Sequence, residues 1–180
     1  MKKWYYLLVL LAGSGLLLRQ FAAGGLGGSR MELLYGFLLL LGVTVMAGID
    51  LQRYEIPGSI QLYFLILGIV RLLLSRQLWN PLLAFVLMGG LLLGIAILTG
   101  GQLGGGDIKL MALAGLSLGL RDIFLALAIG SILGTVIGLA LMAAGRIRRN
   151  TPLPFGVFLG AGIFLAYLYG GSLWQCYMRG

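Results

Sequence analysis

The sequence predicts an all-α integral membrane protein, a polytopic bundle of about seven transmembrane helices. Of its 180 residues, 60% are apolar and only 10% are charged, whereas a soluble domain is roughly 45–50% apolar and about 25% charged. The few charged residues also divide the chain into long uncharged stretches. A soluble fold of this length could not bury so much apolar surface, so the chain is expected to lie in a bilayer.

Seven spans are predicted from these stretches, because a helix that crosses a membrane needs roughly 20 mainly apolar residues. They are expected at residues 4–22, 32–50, 57–75, 80–99, 102–120, 123–145 and 153–173. Two domains follow from this division. Residues 1–31 are expected to hold the first span and a glycine-rich linker, and residues 32–180 a six-helix membrane core.

The first span begins after two lysines and looks at first like a signal peptide, because the small residues 12–14 follow its apolar start. The apolar stretch continues through Leu18, so an uncleaved helix is expected. The second span ends at Asp50, and the third follows a polar turn. The fourth lies within the uncharged stretch 77–106.

The fifth span carries ionisable residues. Its uncharged part, residues 110–120, would cover roughly 16 Å at 1.5 Å per residue, about half the hydrocarbon thickness. The helix is therefore expected to begin near Gln102, which places Asp107 and Lys109 inside the span. An ionisable residue at membrane depth is costly and indicates a function. The sixth and seventh spans lie in long uncharged stretches nearer the C-terminus.

The net charge of +8, from 13 Lys and Arg against 5 Asp and Glu, is interpreted as a membrane signal. The basic residues border apolar spans and form no stripe interleaved with aromatic residues, so membrane lipids are expected as partners and nucleic acid is not. The basic clusters at residues 2–3 and 146–149 fall on one side of the membrane. They predict a cytoplasmic N-terminus and an external C-terminus.

The composition excludes several chemistries. There is no histidine, and Cys176 is the single cysteine. Nucleophile pairs that use histidine, a disulfide framework, a CxxC zinc site and an iron–sulfur cluster are therefore excluded, and no cofactor or metal is expected. Acid–base chemistry must come from the five acidic residues, Glu32, Asp50, Glu55, Asp107 and Asp122.

Asp50 ends the second span and Asp107 begins the fifth, so both are expected on the same side of the membrane. Two carboxylates in a partly dry site cannot both ionise cheaply, so one of them retains a proton. The anionic one can take a proton from water while the other polarises a carbonyl group, which is aspartyl hydrolysis. Two alternatives stay open: each aspartate caps a helix or is a solvated charge, or the pair binds protons or cations in a small transporter.

The surroundings of Asp107 favour the catalytic interpretation. Five of the seven residues from 100 to 106 are glycine, which disfavours a helix interior by about 1 kcal/mol per residue relative to alanine. Positions without side chains let another backbone, such as that of a cleavable peptide, approach the carboxylate. A flexible linker is the alternative explanation of this stretch.

Three motifs resemble the type IV prepilin peptidase family of intramembrane aspartyl proteases. The segment Gly104–Asp107 fits the GxGD pattern and lies in a longer run, GGGDIKLMA. Asp50 is followed after five residues by Ile56 and Pro57, as is the first aspartate of that family. The segment PFGVFL at 154–159 is similar to the family's PFGPFL segment.

The resemblance implies an endopeptidase that removes the short basic leader of prepilins or pseudopilins at the cytoplasmic face of the inner membrane, with Asp50 and Asp107 as the catalytic pair. It leaves a homo-oligomer open. The residues expected to bind substrate or to shape the loop around the site are Gly104, Gly106, Lys109, Ile56, Pro57, Pro154 and Gly156. The side chain of Lys109 is expected either to pair with a carboxylate or to reach the membrane interface.

The sequence departs from the family pattern at three places. Gly58 follows Ile-Pro where the family often has Asn or Asp, and Val157 replaces the second proline of the third motif. Bifunctional members carry a cysteine-rich insert after the first span that is linked to N-methylation. Here that region is the short, cysteine-free stretch 22–30, so cleavage without methylation is expected.

Overall fold

The computed structural model describes residues 3–24, 29–75, 77–148, 151 and 153–179. The described residues form seven α-helices and no strand, which confirms the all-α prediction. The helices are α1 Lys3–Ala22, α2 Arg30–Arg53, α3 Gly58–Ser75, α4 Trp79–Leu98, α5 Gly105–Leu118, α6 Leu120–Ala143 and α7 Phe155–Arg179. Residues 25–28 of the predicted glycine-rich linker lie outside the described residues.

Five of these helices, α2, α3, α4, α6 and α7, are long and apolar enough to cross a membrane. The apolar part of α1 that qualifies, Tyr6–Ala22, is slightly shorter, and α5 has only 14 residues. The chain is therefore a multi-pass membrane protein by the length and composition of its helices.

Helix α5 is shorter than the predicted span 102–120. Gly100 and Gly101 have φ angles of 68° and 82°, and Gly119 has a φ of 78°. This left-handed region is easily adopted by glycine, and it turns the chain before and after the helix. Helix α5 covers only about 21 Å at 1.5 Å per residue. Because it begins at Gly105, Asp107 lies in its first turn rather than in its interior.

The other helices differ from the predicted spans by a few residues at most of their ends. Helix α2 continues for one turn past Asp50 to Arg53, and α6 begins at Leu120 rather than at 123. Helix α7 extends to Arg179, beyond the predicted end at 173. The uncharged stretches locate the spans well, but a helix can continue past a charged residue that borders the apolar part.

Helix α5 lies at the centre of the bundle and contacts α3, α4, α6 and α7. Its side chains Leu110 and Met111 are fully buried. The main core cluster draws on α2 to α7, and its fully buried members include Leu39, Met46, Phe64, Met88, Leu110, Met111, Ile123, Leu159 and Ile163. This core fixes α5 against the helices that surround it.

Charged side chains link helices at the end of the bundle where α2 begins. Arg71 of α3 forms an ion pair with Glu32 of α2, and Tyr167 of α7 donates a hydrogen bond of 2.6 Å to the Glu32 carbonyl. At the same end, Arg121 of α6 lies 5.3 Å from the centre of the Trp174 ring. Since Asp50 is near the other end of α2, these contacts are remote from it.

Candidate active site

Asp50 is held at the place where the last turns of α2 meet the first turn of α7. Its side chain is only 4% exposed. The backbone N–H of Val157 donates a hydrogen bond of 3.2 Å to Asp50 Oδ2, and the positive end of the α7 dipole favours a negative charge there. Asp50 thus caps the start of α7, which agrees with the alternative that each aspartate caps a helix. The hydrogen bond from Val157 occupies only one of the two carboxylate oxygens.

Gly156 explains how the carboxylate comes so close to α7. A methyl group at position 156 would lie 2.8 Å from Asp50 Oδ2, which is inside van der Waals contact. Gly156 is buried between Asp50 and Ile56. The third motif therefore supplies both a backbone donor and the space that the carboxylate needs.

Asp107 is placed by the start of α5. Gly104 precedes this helix in an extended conformation, with φ −62° and ψ 131°, and its carbonyl accepts a hydrogen bond of 3.1 Å from the Asp107 N–H. A methyl group at position 104 would lie 3.1 Å from Asp107 Oδ2. Asp107 is partly exposed, so water can reach it.

Both carboxylates line one cavity of about 590 Å³. The cavity is bounded by the end of α2, the turn before α3, the start of α5 and the start of α7. Its lining residues are Asp50, Tyr54, Glu55, Ile56, Gln61, Gln102, Leu103, Gly104, Gly105, Gly106, Asp107, Leu153 and Phe155. The structure therefore brings the two sequence-predicted aspartates to one site.

Ile56 separates the two elements that carry the site. It is 8% exposed and lies between two glycines that come from distant parts of the chain. A methyl group at Gly106 would lie 3.1 Å from Ile56 Cβ, and one at Gly156 would lie 3.2 Å from Ile56 Cδ1. Ile56 is thus a spacer between the start of α5, which carries Asp107, and the start of α7, which holds Asp50.

The remaining predicted residues lie near the cavity without lining it. The Pro57 carbonyl accepts a hydrogen bond of 3.0 Å from the Ile60 N–H and so begins α3, and Pro154 directly precedes α7. Lys109 is exposed and forms no ion pair with any residue that the structure describes, a set that includes all five acidic residues. Of the two arrangements expected for Lys109, pairing with a carboxylate is therefore not seen among the described residues.

Sequence reasoning missed four polar lining residues, Tyr54, Glu55, Gln61 and Gln102. Tyr54 ends α2 with φ 54° and ψ 30°, and among the described residues it is the one non-glycine with positive φ. Glu55 lies in the turn between α2 and α3. Their position next to Asp50 and Ile56 in the sequence is the signal that could have found Tyr54 and Glu55.

The cavity carries negative charge in a positively charged chain. Three of the five acidic residues of the chain line it, namely Asp50, Glu55 and Asp107, and no basic residue appears among its described lining residues. No group of three or more Asp, Glu or Cys side chains within the described ranges is arranged to hold a metal ion. Arg146 and Arg148 are exposed and do not line the cavity, and residue 149 lies outside the described ranges.

Comparison with known proteins gives the relationships of the chain. A relative from Bacillus subtilis (strain 168), named prepilin leader peptidase/N-methyltransferase, is 35% identical over 88% of this chain and 65% of its own length. Relatives with the same name from Burkholderia pseudomallei (strain 1026b) and Stutzerimonas stutzeri are 30% and 28% identical, over 92% and 80% of this chain. The chain spans 55% and 53% of the length of those two relatives.

No solved structure matches the chain at a significant level. The profile of the type IV leader peptidase family matches residues 37–139, which include both aspartates, Ile56 and the glycines before Asp107. This matched region is more than half of the chain and contains two of the three motifs. The chain therefore belongs to the type IV leader peptidase family.

Proposed function

We propose that the chain is a membrane-embedded aspartyl endopeptidase that removes the short basic leader from type IV prepilins or pilin-like proteins. The observation that supports this most is the placement of Asp50 and Asp107 in one partly buried cavity at one end of the bundle. The names of the relatives and the family add the substrate class. The catalytic pair lies in the region that the family profile matches.

The proposed reaction uses the different surroundings of the two carboxylates. Asp50 accepts the Val157 N–H at the positive end of α7, which offsets part of the cost of burying its charge, and it is assigned as the carboxylate that takes a proton from water. The water oxygen attacks the carbonyl carbon of the scissile bond while protonated Asp107 donates a hydrogen bond to the carbonyl oxygen. When the C–N bond breaks, the leaving nitrogen receives the proton that Asp50 took.

The site is proposed to face the cytoplasm in the inner membrane. Its cavity lies at the end of the bundle where α4 and α6 end and where α7 begins, which is the end that carries Arg146 and Arg148. Helix α1 is proposed to be an addition to the protease core, residues 32–180.

The experiment is cleavage of a model prepilin by the purified protein in liposomes. Asp50→Asn and Asp107→Asn keep the side-chain shape but remove the ionisable acid, and each is expected to lower kcat by about 10²- to 10⁴-fold. Asp122→Asn is the matched control, because Asp122 lies on α6 beside Arg121 and away from the cavity. One wild-type sample contains a chelator and is expected to stay active.

A wild-type protein that cleaves no prepilin, or an aspartate variant that stays active, would contradict the proposal and favour the transporter alternative. The product also tests the absence of N-methylation. With a methyl donor present, mass spectrometry is expected to find the new amino terminus unmodified, and a methylated terminus would overturn that part of the proposal.

A further inference from the structure

Helix α1 packs against the helix that carries Asp50. Tyr6 Oη accepts a hydrogen bond of 2.9 Å from Gln52 Nε2, and the same nitrogen donates to the Gly48 carbonyl at 2.9 Å. The Tyr6 ring lies so close to Gly48 that a methyl group at position 48 would overlap it. Tyr6 therefore contacts α2 two residues before and two residues after Asp50.

These contacts are on the face of α2 opposite to the carboxylate. Since a helix has 3.6 residues per turn, residues two positions away from Asp50 point about 160° away from it. On its own face, Asp50 is held by the N–H of Val157 in α7. The end of α2 that carries Asp50 is thus held between α1 on one side and α7 on the other.

Helix α1 is also joined to α7 farther along the bundle. Gln20 Nε2 donates a hydrogen bond of 2.8 Å to the Leu168 carbonyl. Leu17 is fully buried and clusters with Leu40 of α2 and Phe164 of α7. Helix α1 therefore bridges the two helices whose junction fixes Asp50, although it lies outside the region that the family profile matches.

We propose that Tyr6 is a positioning residue for Asp50, which holds the end of α2 against α7 without touching the substrate. Without the Tyr6 ring, this end of α2 can move away from Val157, and the carboxylate moves with it. A misplacement of about 1 Å can lower a catalytic rate by about 10²-fold. The kinetic consequence rests on the proposed peptidase function, whereas the position of residue 50 can be measured without it.

The kinetic test compares wild type with Tyr6→Ala, Tyr6→Phe and the control Leu8→Ala, which changes a side chain of α1 that is 63% exposed. Tyr6→Ala is expected to lower kcat for prepilin cleavage by about tenfold or more with KM unchanged. Tyr6→Phe keeps the ring over Gly48 and is expected to restore most of kcat. The control is expected to match wild type.

A second readout does not depend on cleavage. In a Cys176→Ser background, Asp50→Cys places a thiol at the site, and its alkylation by a water-soluble maleimide reports how firmly the end of α2 is held. Adding Tyr6→Ala is expected to speed alkylation by about tenfold, and adding Leu8→Ala is not. If Tyr6→Ala does not fold, Tyr6→Leu replaces it, because leucine keeps apolar bulk but cannot lie flat over Gly48.

The outcomes separate the two proposals. Equal kcat and equal alkylation rates in the Tyr6 variants and the Leu8 control would overturn the positioning role. A kcat loss matched by an equal loss in Tyr6→Phe would also overturn it, because the ring contact is then not the cause. A wild-type protein that cleaves no prepilin would overturn the peptidase function alone, and the alkylation rates would still decide the role of Tyr6.

Discussion

Gly156 lies against the carboxylate of Asp50 so closely that a single methyl group at position 156 would come within 2.8 Å of Asp50 Oδ2. The two residues are more than a hundred positions apart in the sequence. Their contact joins the end of α2 to the beginning of α7, and it makes the position of one of the two proposed catalytic carboxylates depend on the absence of a side chain elsewhere.

Gly156→Ala is therefore expected to displace the Asp50 carboxylate and to lower kcat by about 10- to 100-fold. Gly171→Ala is the matched control, because it makes the same substitution in the same helix where an added methyl group meets nothing within 4 Å. Prepilin cleavage at saturating substrate measures both. Equal loss in the two variants would show that a general effect on α7 is responsible.

Gly106→Ala tests the spacer role of Ile56. The added methyl group would lie 3.1 Å from Ile56 Cβ, and Ile56 is buried with Gly156 close to its other side, which limits how far it can shift. Lower kcat and a lower unfolding temperature are expected. Gly90→Ala is the control, because it makes the same substitution inside α4, away from the cavity, where an added methyl group meets nothing within 4 Å. It should preserve activity and, as a better helix former by about 1 kcal/mol, should not reduce stability.

Glu55→Lys tests the charge of the cavity. If the substrate leader is basic, replacing this exposed carboxylate with an ammonium group should raise KM about two- to fivefold, because an exposed ion pair contributes at most about 1 kcal/mol. With a leader whose lysines are changed to glutamate, the Glu55→Lys variant should have a lower KM than wild type. An unchanged KM for both leaders would show that Glu55 does not contact the leader.

Glu32→Gln tests the ion pair at the other end of the bundle. It leaves the Arg71 guanidinium partly buried without its carboxylate partner, and the removal of one member of such a pair costs up to about 3–5 kcal/mol when burial is complete. A lower unfolding temperature in detergent is expected. The double variant Glu32→Gln/Arg71→Gln should recover part of the loss, and a double variant less stable than either single one would contradict this account.

The sequence was enough to predict the number of helices and the two aspartates as a pair. Apolar stretches bounded by charges report where a chain can cross a bilayer, and the spacing of Asp50 and Asp107 by two spans requires them to share a side. The predicted start of α5 near Gln102 was wrong, and the helix begins at Gly105. Gly100 and Gly101 turn the backbone before it, which hydropathy does not report.

The contacts that set the site could not be predicted in the same way. Ile56 contacts Gly106 of α5 and Gly156 of α7, and Tyr6 of α1 contacts Gly48 of α2. Each of these contacts joins residues that are far apart in the sequence, and it depends on the rotation of two helices about their own axes. A single sequence gives the approximate length of each helix but little information on that rotation.

The ion pair between Glu32 and Arg71 has a mechanical consequence. Both ion pairs among the described residues lie at the end of the bundle away from the cavity, and Glu32 and Asp50 are about 27 Å apart along α2 at 1.5 Å per residue. With α2 fixed to α3 at Glu32, a small rotation of α2 about that end would displace the residues near Asp50 the most. The contacts of α2 with Tyr6 and with the Val157 N–H are therefore needed to restrain Asp50 at the end of the helix that is far from both ion pairs.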